Sequence, residues 1–195
     1  MKSPPLQYHR SMSRIAILGG SFNPPHLAHQ MACLWALSTG QADRVWLMPC
    51  HGHPFGKQLV SFEDRCTMCE AATADFAAGT VAVTRVEGEL GGESRTHDTL
   101  QHLIGASPQH RFSLIIGSDI LLEKDSWYRF DDIERMVQVL VLGRRGYPSP
   151  DGVPVLPAIS STRIRETIAV GGDVSSMVPA GVLAYIQQRS LYIER

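Results

Sequence analysis

The chain has 195 residues, 44% of them hydrophobic and 19% charged, with a formal net charge of −1. That length closes one hydrophobic core without disulfide or metal staples, and the near-zero charge excludes the basic surface that a duplex nucleic-acid binder needs. No apolar run approaches the roughly 18 residues of a membrane span, so the expected partners are small soluble molecules, with a homo-oligomer left open.

Residues 1–13, MKSPPLQYHRSMS, lack the apolar centre of a secretory signal and read as a loose extension ahead of one domain over residues 14–195. A cytoplasmic location is expected, and Cys33, Cys50, Cys66 and Cys69 suit a reducing compartment because they form no disulfide framework. The first strand is expected at RIAIL, residues 14–18, an apolar run without period-two alternation, as in a strand buried on both faces. GGSFNPPHLAH, residues 19–29, follows directly. Gly19 and Gly20 let the backbone turn sharply and approach a ligand, and a helix opening after Pro25 aims its free N–H groups and positive dipole end at the same space. An anion is the natural occupant. His26 and His29 share the first-turn face of that helix. They can donate to a phosphate, cap the backbone or face solvent; a zinc pair would lack a fitting third ligand.

RVWLM, residues 44–48, is the second expected strand, followed by the loop PCHGHPFGK, residues 49–57. SFED, residues 61–64, has the pattern of a capping box, and the helix it opens carries Phe62, Cys66, Cys69, Thr73 and Phe76 on one face. His51, His53, Cys66 and Cys69 would together make a zinc set, against which the two cysteines lie on the apolar stripe, where the thiol behaves as a small hydrophobe. Further strands are expected at TVAV (residues 80–83), RFSLII (111–116) and VQVLVL (137–142). Gly117 and Asp119 end the fourth, where a carboxylate can hold a ribose hydroxyl or hydrated Mg²⁺, or cap the next helix. Trp127 and Tyr128 in SWYRF suit stacking on a flat heterocycle or a place in the core. GYPSPDGVPVLP, residues 146–157, reads as a loop. ISSTRIRE, residues 159–166, offers Ser160 or Ser161 as an N-cap, with Thr162, Arg163 and Arg165 adding hydroxyl and guanidinium donors at a second helix start, and Gly171 stops that helix. A last helix opens at Pro179. Alternating strands and helices define a doubly wound, mainly parallel α/β sheet, with ligands at the carboxyl ends of its strands. Two anion-binding helix starts, one near each end of the chain, would let one crevice grip an extended polyphosphate.

These residues resemble the HxGH nucleotidyltransferases, and among them the bacterial nicotinate-mononucleotide adenylyltransferases. Gly20, Ser21, Phe22, Asn23, Pro24, His26 and His29 meet the family pattern G-[ST]-F-[DN]-P-x-H-x-x-H; Ile159, Ser160, Thr162 and Arg165 meet I-S-x-T-x-x-R. SFEDRCTM matches S-x-x-x-R-x-x-M, and IIGSD, SWY, GRRGYP and YIQQRSLY extend the likeness over residues 14–192. The resemblance implies a Rossmann-like nucleotidyltransferase fold and adenylyl transfer from ATP to a pyridine mononucleotide, in NAD biosynthesis. Phosphopantetheine as acceptor and a non-catalytic nucleotide sensor are the alternatives. It also implies site roles. His26, His29 and Arg165 would be catalytic, and Gly19, Gly20, Ser21, Phe22, Ser160, Thr162 and Asp119 would bind ATP with Arg165. Thr96, Trp127, Tyr128 and Lys57 would hold the mononucleotide, and Mg²⁺ would bridge the phosphates mainly through water. Three positions depart from the pattern: Ala28 stands for the glycine of H-x-G-H, Arg95 for the aromatic of S-[YF]-T, and PCHGHPFGK for P-N-x-x-P-P-H-K.

Overall fold

Alternate residues of the first strand leave on opposite sides of the sheet and both sets are buried: Ile15 and Ile17 enter one apolar cluster, Ala16 and Leu18 another. A strand covered on both faces requires helices on both, and parallel crossovers supply them. In the computed structural model, which describes residues 12–52 and 59–193, the sheet has six parallel strands. They are β1 (Arg14–Gly20), β2 (Arg44–Pro49), β3 (Val81–Val83), β4 (Arg111–Gly117), β5 (Gln138–Arg144) and β6 (Val155–Leu156). Their order, β3-β2-β1-β4-β5-β6, reverses direction between β1 and β4, the crevice where doubly wound sheets take ligands. The five expected strands are all present. The sixth lies inside the segment expected to be loop, where two residues between prolines carry no periodic signal. It sits close enough to β5 that a Cβ on Gly143 would come within 2.9 Å of Val155 Cγ2.

Helix α1 (Leu27–Ser38) packs Ala32, Cys33 and Ala36 on one face of the sheet. On the other face α4 (Thr96–Ala106) and α6 (Phe130–Met136) contribute Leu100, Leu103, Phe130 and Ile133. The short α3 (Val86–Leu90) precedes α4 in sequence, and α5 (Ile120–Glu123) lies between α4 and α6.

Helix α2 (Phe62–Thr73) differs from its expected one-sided form. Cys66 and Cys69 are fully buried, with Cys69 in the sheet cluster, as the stripe requires. Met68 and Ala72 face the other way, into a third cluster with Ile164 of α7 (Ser161–Ala169) and Val182 and Ile186 of α8 (Ala180–Arg189). The helix is clamped between sheet and C-terminal helices, and it ends before Phe76, which packs on the sheet cluster from the following turn. Ser61 caps it by accepting the Asp64 N–H at 3.0 Å. Ser160 caps α7 by accepting the Arg163 N–H at 3.2 Å. Gly171, at φ 71°, takes the left-handed turn that ends α7.

Candidate active site

The carboxyl ends of β1, β4 and β5 open on a cleft of about 1050 Å³. Its walls carry Gly19, Gly20, Ser21, His26 and His29 from the first turn, Gly117 and Asp119 from the end of β4, and Arg144 from the end of β5. Thr96, Trp127 and Tyr128 line it as well. One cavity thus gathers expected site residues from four separate segments.

Helix α1 starts later than Pro25, with His26 as its N-cap residue. The two imidazoles stack, with centroids 3.7 Å apart and planes inclined by 17°. The His26 backbone N–H donates to His29 Nδ1 at 3.0 Å. A neutral His29 that accepts at Nδ1 carries its proton on Nε2, so the ring remains a donor. Phe22 meets that ring edge-on at 4.8 Å, from a left-handed backbone at φ 46°. Burial lowers the His26 pKa to about 4, with Arg144 opposing a second positive charge. Burial, His26 and Arg144 hold His29 well below the usual imidazole value. Both histidines are therefore neutral hydrogen-bond donors near pH 7.

Arg65 lies behind this turn, fully buried, and it faces carbonyls instead of a carboxylate. Its guanidinium donates to Ser21 O at 3.1 Å, Cys50 O at 2.6 Å, His51 O at 3.2 Å and Val60 O at 3.2 Å. The ends of β1 and β2 are pinned together by one cation. Asn23 is a second hub: its side-chain oxygen accepts from Tyr192 O–H at 2.9 Å and Val60 N–H at 3.3 Å.

The ISSTRIRE segment docks on this hub. Ser161 Oγ donates to Pro24 O at 2.8 Å, and Arg165 Nη1 donates to Asn23 O at 2.8 Å, across 137 and 142 residues of chain. Of that segment only Ile159 lines the cleft itself, with Leu156 and Pro157 just ahead of it. Ser160, Thr162 and Arg165 stand beside the cleft, Thr162 exposed and Arg165 engaged with the Asn23 carbonyl.

Asp119 makes no capping bond to α5; its Oδ2 pairs with Arg144 Nη1. That pairing sets the local charge, because the same Arg144 is the cation felt by both histidines. Arg144 was visible in the sequence only as part of GRRGYP, with nothing to indicate its partner 25 residues earlier. Tyr128 has one face covered by the Arg95 guanidinium, 4.6 Å from the ring centre, and its ring meets His97 edge-on at 5.7 Å. Trp127 packs edge-on against Phe130 at 5.7 Å. Ser94 Oγ accepts from the His51 and Gly52 N–H groups, joining the loop after β2 to the start of α4. Lys57 and His53 lie outside the described residues. Among the described residues no three His, Cys, Asp or Glu side chains gather as a metal donor set. Cys66 and Cys69 are buried against the sheet with their thiol pKa values raised by desolvation.

A doubly wound sheet places a glycine turn and two neutral imidazole donors at one crevice, with a second capped helix beside it, an arrangement suited to binding a nucleotide. The cytidylyltransferase-like family model matches residues 17–167, and the chain belongs to that family. A probable nicotinate-nucleotide adenylyltransferase of Anaeromyxobacter sp. (strain K) is 50% identical over 181 residues, covering 91% of this chain and 96% of the relative. Another, from Myxococcus xanthus (strain DK1622), is 46% identical, covering 94% and 96%. The fold matches that of a Plasmodium falciparum nicotinic acid mononucleotide adenylyltransferase complexed with NaAD, with a TM-score of 0.81 at 20% identity over 92% of this chain and 97% of that one.

Proposed function

We propose that this chain is a nicotinate-nucleotide adenylyltransferase, transferring the adenylyl group of ATP to nicotinate mononucleotide and releasing pyrophosphate. The observation that carries the reading is the docking of the two phosphate-binding motifs on each other, Ser161 on Pro24 and Arg165 on Asn23, beside the stacked histidines. High-coverage relatives of that name support it.

In this reading a phosphate oxygen of the mononucleotide attacks the α-phosphorus in line. A new P–O bond forms, the bond to the bridging oxygen breaks, and pyrophosphate leaves with the electron pair. Such chemistry is mostly positioning and stabilisation of charge. The Gly19–Phe22 turn and the Ser21 hydroxyl receive phosphate. His26 and His29 donate to the α- and β-phosphates as neutral groups, which need no desolvation of a cation when the site closes. Ser160, Thr162 and Arg165 hold the β- and γ-phosphates, Arg165 by exchanging the Asn23 carbonyl for an anionic acceptor. Asp119, oriented by Arg144, faces the ribose, and Thr96, Trp127, Tyr128 and Lys57 take the acceptor.

Mg²⁺ fits this site as a companion of the polyphosphate, because Asp119 pairs through Oδ2 and keeps Oδ1 as one oxygen donor. When bound, the ion neutralises phosphate charge. The same reading carries a cytoplasmic location, small-molecule partners and no nucleic acid; no described helix is long and apolar enough to cross a membrane.

A coupled pyrophosphate assay with ATP and Mg²⁺, run in parallel with nicotinate mononucleotide, nicotinamide mononucleotide and phosphopantetheine, tests the reading. Fastest turnover with nicotinate mononucleotide is expected. Turnover with phosphopantetheine alone, or ATP binding without turnover, would sink it.

A further inference from the structure

The side of the cleft formed by Thr96, Trp127 and Tyr128 carries a cation that the phosphate chemistry does not use. Arg95 immediately precedes α4, at the position where an aromatic residue was expected, and its guanidinium stacks 4.6 Å over the Tyr128 ring. Stacking on an aromatic face restrains the planar fork while leaving its N–H edge free to point at a ligand. The anionic partner of that edge is Glu93, with Nη2 to Oε2 at 3.0 Å. This pair is open to solvent, with side-chain exposures of 41% and 54%, and exposed pairs of this kind are held weakly. Arg95, Glu93, Thr96 and Tyr128 all line the same cleft.

We propose that Arg95, braced on Tyr128, reads the carboxylate on the acceptor's pyridine ring and thereby sets the preference for nicotinate over nicotinamide mononucleotide. This rests on the reading of the preceding section and adds the residue that decides between two acceptors of nearly equal size. The physical ground is the difference between the two ring substituents. A carboxylate offers two anionic acceptors that match the guanidinium fork, and can take the place of Glu93 at no loss of a pair. A carboxamide offers one neutral acceptor and an NH₂ group that a guanidinium cannot satisfy. Covering one face of Tyr128 also removes that face as a stacking surface.

The test is the ratio of kcat/KM for nicotinate mononucleotide to that for nicotinamide mononucleotide in the wild type, Arg95→Lys, Arg95→Gln and Arg95→Tyr. Arg95 is exposed, so the variants are expected to fold, and unchanged melting temperatures check this. In Arg95→Gln and Arg95→Tyr the ratio should fall about 10- to 100-fold, the loss expected for one hydrogen bond to a charged group, through a higher KM for nicotinate mononucleotide. The KM values for ATP and nicotinamide mononucleotide should not move. Arg95→Lys, which keeps the charge but not the fork, should retain an intermediate ratio, and raising the salt concentration should compress the wild-type ratio. A ratio unchanged in Arg95→Gln and Arg95→Tyr overturns the assignment while leaving the adenylyltransferase reading intact. A wild type that turns over neither mononucleotide overturns that reading, and the assignment with it.

Discussion

His29 does two things at once: Nδ1 accepts the N-cap amide of its own helix, and this fixes the Nε2 proton as a donor. His29→Ala should therefore lower kcat on the order of 10² to 10³, the usual loss for one preorganised charge-stabilising donor. Steady-state kinetics check this, and near-normal turnover would remove His29 from the phosphate site. His26 makes a separate prediction about pH. Its folded-state pKa, about 4, lies below the ordinary 6.5, so between these values the unfolded chain binds more protons. Stability from this group is complete above pH 6.5 and drains as the pH falls toward 4. Without nucleotide, urea unfolding should give about 2 kcal/mol less stability at pH 5 than at pH 8. His29 adds a loss of the same sign. His26→Gln should lose less over that interval than the wild type, and an equal loss would show that His26 is not buried neutral. At this scale the sequence shows residue types and spacings but not partners. His26, His29 and Asp119 were legible as candidates, whereas the Arg144 that sets the charge around all three is joined to them only by folding.

The elements were legible wherever the chain carries a long pattern. Five strands are continuous apolar runs, and for β1, β2, β4 and β5 burial on both faces explains the absence of alternation. Helix α2 was half legible, because a stripe at helical spacing reveals one packed face and α2 has two. Arg65 is the element-scale case. Within SFEDRCTM it reads as a polar position on a helix, yet it is the fully buried tie between β1, β2 and the segment ahead of α2. Replacing it by Met takes this donor from the half-buried Ser21 and Cys50 carbonyls, at about 1 to 3 kcal/mol for each unsatisfied group. Arg65→Met should cost about 3 kcal/mol or more in urea unfolding. It should also raise KM for ATP, because the Ser21 carbonyl belongs to the turn proposed to receive phosphate. A variant that keeps its stability would mean that the strand ends hold their places without the cation.

For the molecule as a whole, the site exists because distant parts of the chain meet. Leu27 N–H donates to Met177 O, Ser161 Oγ to Pro24 O, and Tyr192 O–H to Asn23 Oδ1. The pairing of the first and last motifs was legible as chemistry, since two anion sites suggest one polyphosphate, but the hub at Asn23 was not, since the residue type carries no sign of its long-range bonds. Helix α8 supplies Val182 and Ile186 to the third cluster, and Tyr185 O–H donates to Asp64 Oδ1 at 2.9 Å. Burying each of those aliphatic side chains contributes about 1.5 to 3 kcal/mol, and Met68 and Ala72 lose their cover without them. The sum is comparable to the roughly 5 to 15 kcal/mol by which a domain is stable. Deleting residues 179–195 should therefore abolish the cooperative urea transition, although every cleft-lining residue remains in the chain. Tyr192→Phe is the milder form, removing one hydroxyl from Asn23; it should fold, lose about 1 kcal/mol and raise KM for ATP. A truncated chain that still unfolds in one sharp transition would show that the sheet and α1 stand alone, and that the C-terminal helices are an attachment instead of part of the site's foundation.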